Sequence, residues 1–185
     1  MAEETASVVK QRQEPLRSRY VDHPGEAWVN DHARTLNTAA DDPLHGIVVP
    51  ANNQDRGWRF GLHRAVGGFH DAPNPGDILC AALAACQSST LRMIADRLGV
   101  AIHSLEVAVT GEVDVRGALV VDTKVPVGFQ RLICDVRLEV PDGTNPATIK
   151  MLLTAAEHSC VVLQTLRNAV EVKMRCDAGE KSARV

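Results

Sequence analysis

Residues 74–99, NPGDILCAALAACQSSTLRMIADRLG, decide how the chain folds. Asn74 offers an N-cap side chain, Pro75 suits the first helical position, and Asp77 sets a carboxylate at the positive end of the helix dipole. No breaker intervenes before Gly99, which follows Arg97 and Leu98 as a C-terminal stop should. A helix over 75–98 would be about 36 Å long at 1.5 Å per residue. Its first half, Ile78 to Cys86, is apolar all round. One small sheet can cover only one side of such a helix, so the pattern hints at a dimer.

Upstream, residues 1–25 show no sustained periodicity and contain Pro15, Pro24 and Gly25, which predicts a mobile or peripheral arm. Three extended candidates follow, Ala27 to Leu36, Leu44 to Val49 and Trp58 to Val66, separated by the polar turns TAADDP and PANNQDRG. A small antiparallel meander is the economical reading.

Downstream of the helix, His103 to Val115 alternates, with Leu105, Val107, Val109, Val113 and Val115 on one face. Arg131 to Val140 repeats the pattern and places Cys134 on the apolar face, where a buried core thiol is expected. Asn145 and Pro146 start a further helix whose apolar spacing carries on to Arg167, and Ala169 to Met174 reads as a last strand. The fold class is therefore α+β, with one domain over 26–175 and a polar tail over 176–185.

Composition narrows the function. A formal charge of -3 supplies no basic field, and 3% aromatic residues supply few stacking platforms, so nucleic acid is not an expected partner. The first 20 residues mix both charge signs without an apolar signal region, and no later stretch reads as a membrane span; a soluble, cytoplasmic protein is expected. Five cysteines, at 80, 86, 134, 160 and 176, are an odd number at irregular spacing with no CxxC pair, which argues against a disulfide framework or structural zinc.

The chain has no Walker loop, no GxGxxG, no HExxH and no GxSxG. Cys86 and Cys160, each following a small-residue or polar segment in an otherwise apolar helix, are the redox candidates. Two readings stand at this point: reactive thiols, or cysteines that pack helices. Cys80 lies about 120° around the helix from Cys86 and cannot easily pair with it, and Cys176 in the polar tail reads as a bystander.

The segment NPGDILCAALAACQSSTLRMIADRLGV resembles the signature of the OsmC/Ohr family, in which an N-P dipeptide starts the central helix and an alanine-rich run ends in a reactive cysteine. AEHSCVVLQTLRNAVEV is similar to the family's second signature, a cysteine followed by a short helix and a final strand. The resemblance spans about 26–175. It implies an intertwined homodimer with buried central helices, and a thiol peroxidase acting on organic hydroperoxides. Matched by position, Cys86 is the peroxide-attacking cysteine and Cys160 the resolving one. The implied reductant is an external dithiol such as a lipoyl group, with no metal, haem or other cofactor.

A free thiol is only a few per cent ionised at neutral pH, and Cys86 is too far along the helix for the dipole to help. The resemblance implies an activating arginine from the early strands, best matched by Arg34, with Arg56, Arg59 and Arg64 in the same meander as alternatives, oriented by a glutamate at the helix start. This chain has Gly76 at that glutamate's position, with Asp77 beside it as a shorter substitute rotated by about 100°. The departure keeps a second reading open: a redox sensor, or a module binding a small hydrophobic ligand, with the same fold and little turnover. Val161 stands where a proline often follows the resolving cysteine, so Cys160 is expected inside a helix that must unwind locally to reach Cys86.

Overall fold

The computed structural model describes residues 7–36, 41–51 and 56–176. Its elements, in chain order, are α1 (Val8–Asp22), β1 (Ala33–Thr35), β2 (His45–Pro50), β3 (Trp58–Gly61), α2 (Pro75–Leu98), β4 (Ser104–Glu112), α3 (Val115–Ala118), β5 (Arg131–Glu139), α4 (Pro146–Ser159) and α5 (Val161–Asn168). The arrangement is α+β, as its sequence pattern predicts.

α2 forms by the local rules its sequence carries. The Asn74 side chain accepts the N–H groups of Gly76 and Asp77, and the Asp77 carboxylate takes the Asn74 N–H in return, a reciprocal capping box. Gly99 ends the helix in the left-handed conformation at φ 67°. Contrary to the sequence expectation, α2 is long and apolar enough to cross a bilayer by length and composition. Here it packs against α1, β4, α4 and α5. The core centres on its second half, where Leu91 and Ala95 meet Leu152 and Ala156 of α4, walled by Leu105, Val107, Val136 and Leu138.

β4 and β5 pair antiparallel from Ser104 opposite Glu139 to Glu112 opposite Arg131, and their exposure alternates residue by residue. The strand expected to reach Val115 stops at Glu112. Asp114 instead caps α3 by accepting the Arg116 N–H, and its carboxylate also pairs with the Arg116 guanidinium. β1, β2 and β3 form the expected meander, shorter than its sequence suggests: residues 24–27 and 64–66 are single 3-10 turns. Within its two connecting turns, residues 37–40 and 52–55 lie outside the described residues, as do 1–6 and the tail from 177. His45 anchors the meander to the approach to α2, with Nδ1 2.9 Å from Asp42 and Nε2 2.9 Å from Asp71, which also receives Arg59.

Three segments differ from their sequence reading. Within the N-terminal arm, residues 8–22 form a helix lying peripherally on α2. Asp96 accepts the Val9 N–H and the Ser7 hydroxyl, and Arg97 donates to Gln13 and Glu14. The apolar spacing beyond Pro146 is split at Cys160, whose φ -75°, ψ 106° is not helical. Residues 169–174 make no strand: Ala169 turns at φ 42° and the following valines and Met174 stay exposed, with no ladder partner among the described residues.

Candidate active site

The break between α4 and α5 positions the first thiol. Cys160 is fully buried in that break. The Gln164 backbone N–H returns to its carbonyl at 2.9 Å, and the Gln164 side chain donates to the Glu157 carbonyl at 2.9 Å. These bonds satisfy groups that interrupting a helix would orphan. Cys160 thus sits outside any helix, and the local unwinding expected from its sequence is already present in the fold.

Cys86 comes to the same place from α2, which packs on both α4 and α5. It is half-buried, and the Thr90 hydroxyl donates to its carbonyl at 2.8 Å. Both are free thiols. Burial pushes the Cys160 thiol up, and its neighbours Cys86 and Cys134 act in the same direction, while the Leu163 N–H opposes them. A thiol held protonated in this way is a poor first nucleophile.

The other two expected residues are placed differently. Asp77 spends its carboxylate on the Asn74 backbone N–H at 2.9 Å and the Asn74 side-chain amide at 2.6 Å. It precedes Cys86 by nine residues, about 13 Å along the axis and half a turn out of phase. Arg34 is exposed on β1, opposite Val49. Neither belongs to the groups that act on the Cys160 thiol.

Gly76, at the position of the expected glutamate, has a structural reason. A Cβ there would lie 2.9 Å from Asn74 Oδ1 and 3.0 Å from the Phe129 ring, and one on Gly111 would lie 2.5 Å from that same ring. Phe129 fills the space between two glycines, so a side chain at 76 must displace an aromatic ring. Phe129 also lines a groove of about 1090 Å³ floored by Cys80, Ala81 and Ala84 of α2. That groove lies on the helix face turned away from Cys86.

A smaller cavity, about 450 Å³, lies between α2, β5, α4 and α5, lined by residues near Cys86 and Cys160 in the chain but by neither thiol. Half of its lining residues are leucines, with Gln87, Cys134, Glu157 and Arg167 as the polar or reactive lining. Gln87 is buried, and its Oε1 has no hydrogen-bond partner among the described residues. Leaving such an atom unpaired costs about 1–3 kcal/mol, which marks the spot as other than plain core. Sequence reasoning missed Cys134 as a neighbour of Cys160; the one available signal for a site here was the polar run after Cys86. Among the described residues no three His, Cys, Asp or Glu side chains converge to hold a metal ion.

The comparisons with known proteins fit this geometry. The OsmC-like protein family matches residues 68–175, more than half of the chain. The chain belongs to the OsmC family. No curated protein matches it. Among solved structures it is similar to an OsmC-like protein from Mycoplasma pneumoniae, at TM-score 0.60 and 15% identity over 76% of this chain and 89% of that one. It is also similar to an organic hydroperoxide resistance protein OsmC from Legionella pneumophila, at TM-score 0.55 and 20% identity over 80% and 96%. An organic hydroperoxide resistance protein from Elizabethkingia anophelis, with thiocyanate bound, gives TM-score 0.54 and 18% identity over 80% and 95%. The OsmC region begins at residue 68, so α1 and the meander lie outside the stretch the family match defines.

Proposed function

We propose that this OsmC-family protein is a cysteine peroxidase that reduces organic hydroperoxides to alcohols. One observation carries the reading: in a fold of this family, a half-buried thiol on the central helix, Cys86, neighbours a fully buried thiol held in a helix break, Cys160. Solved proteins of the same fold that are named for organic hydroperoxide resistance motivate the substrate class.

In this reading the Cys86 thiolate attacks the outer peroxide oxygen, the O–O bond breaks, and the alcohol leaves. Cys86 is then a sulfenic acid. The Cys160 sulfur displaces its hydroxyl, which leaves as water, and a disulfide forms. An external dithiol, a lipoyl group being the model, reopens that bond. The cation for the Cys86 thiolate is assigned to Arg34 by family resemblance alone, and Asp77 is given the structural part of a cap. Two copies of the chain form a homodimer that covers the apolar first half of α2, in a reducing, cytoplasmic setting.

Consumption of cumene hydroperoxide with dihydrolipoamide as reductant tests the proposal. Cys86→Ser should lower the rate by about 10³-fold or more, the scale expected when a nucleophile is removed. Turnover that survives in Cys86→Ser would refute it. Phe129 packed over Gly76 favours one alternative, a redox sensor or hydrophobic-ligand module. That alternative requires stoichiometric oxidation of Cys86 without sustained turnover in the same assay.

A further inference from the structure

Cys134 has no part in the scheme above, yet it acts on Cys160 and lines a cavity shared with α2, α4 and α5. It stands in the middle of β5, opposite Val109, with its side chain on the face turned toward the helices. The cavity it lines is bounded by Gln87, next to Cys86 in the chain, and by Glu157 and Leu163, each three residues from Cys160. Cys134 therefore faces a space whose other walls flank the reactive pair on both sides. An ionised Cys134 is one of the groups that push the Cys160 thiol up. Cys160 thus has one thiol neighbour on α2, Cys86, and another on β5, Cys134, while Cys80 lines the separate groove on the far face of α2.

We infer that Cys134 is a third redox thiol, which takes over the disulfide from Cys86 and so frees Cys86 for a second hydroperoxide. The step rests on the peroxidase reading for its first disulfide. Cys134 loses its proton to solvent and its thiolate attacks the Cys160 sulfur. The Cys134–Cys160 bond forms as the Cys86–Cys160 bond breaks, and Cys86 departs as a thiolate. No electrons are gained or lost overall. The released Cys86 thiolate then reduces a second hydroperoxide to its alcohol and becomes a sulfenic acid. One chain thus consumes two equivalents of oxidant before any external dithiol is needed.

Burial, helped by the neighbouring Asp135 carboxylate, pushes the Cys134 thiol up. Its thiolate is scarce at neutral pH, so the exchange is slow there and quickens as pH rises.

The test oxidises the full-length protein with excess cumene hydroperoxide in the presence of dimedone, then maps alkylated and disulfide-linked peptides by mass spectrometry. The inference expects a Cys134–Cys160 disulfide, dimedone on Cys86 and two equivalents of peroxide consumed per chain. Cys134→Ala should stop at one equivalent with a Cys86–Cys160 disulfide, and Cys134→Val, which fills the site better, repeats the comparison if the alanine variant fails to fold. A wild-type map in which Cys134 stays free, with one equivalent consumed, overturns the inference and leaves the peroxidase reading intact. A parallel arm with diamide, which joins neighbouring thiols without peroxide chemistry, separates the two ideas. Cys134–Cys160 should grow there at the expense of Cys86–Cys160 as pH rises, and its absence at every pH overturns the exchange even if peroxide leaves Cys86 untouched.

Discussion

The two halves of α2 are built on opposite plans. The second half carries Thr90, Arg92, Asp96 and Arg97, yet it is the better buried, with Leu91 at 0% and Ala95 at 1% exposure between α4, β4 and their neighbours. The first half is almost wholly apolar, yet Ala81, Ala82 and Ala85 are exposed. Cover for the second half comes from the chain itself. No described residue covers that face of the first half, which is the physical argument for the proposed homodimer. Cys86 stands where the two plans meet, and the packing on one side of it is complete within a single chain.

That contrast can be broken by substitution. Leu91→Ala opens a void in the self-covered half and should cost about 2–5 kcal/mol of unfolding free energy, read from denaturant titration. A loss well below that range would mean the core centres elsewhere. Gly76→Glu restores the carboxylate that family resemblance expects but drives a side chain into Phe129 and Asn74. The expected result is a loss of about 1–3 kcal/mol with no gain in peroxidase rate, and a stable, faster variant would show that the Phe129 packing is dispensable. Ala82→Glu should change the fold's intrinsic stability by no more than about 0.5 kcal/mol, as surface substitutions do, while halving the particle mass seen by light scattering. An unchanged mass would assign the exposed face of α2 to some other cover.

The parts of the fold legible in the sequence are those governed by neighbours in the chain. Asn74, Asp77 and Gly99 read correctly because capping spans four residues, and β4 and β5 because alternation has a period of two. α1 was not legible: it has no buried residue and is held by Asp96 and Arg97, more than 80 positions away in sequence. The break at Cys160 has no proline or glycine beside it to announce it. The final strand was over-read, since a strand needs a partner edge and the alternation of Val170, Val172 and Met174 says nothing of where one would lie.

The candidate site divides the same way. Cys86 and Cys160 are the residues the motifs point to, and Cys86 is one of the groups that act on the Cys160 thiol. Arg34 and Asp77 were matched by position alone, and the fold binds Asp77 into a cap instead. Cys134 looked like core because its neighbours on the strand are apolar. Its nearness to Cys160 is a tertiary fact, as is the ring of Phe129 over Gly76.

The central claim is that Cys86 and Cys160 form one reactive pair. Treating the folded, fully reduced protein at neutral pH with a single equivalent of cumene hydroperoxide, then quenching early and mapping its thiols by mass spectrometry, tests that claim most directly. The account predicts loss of two free thiols per chain and a disulfide joining Cys86 to Cys160. Recovery of both as free thiols, with the protein still folded, would contradict it.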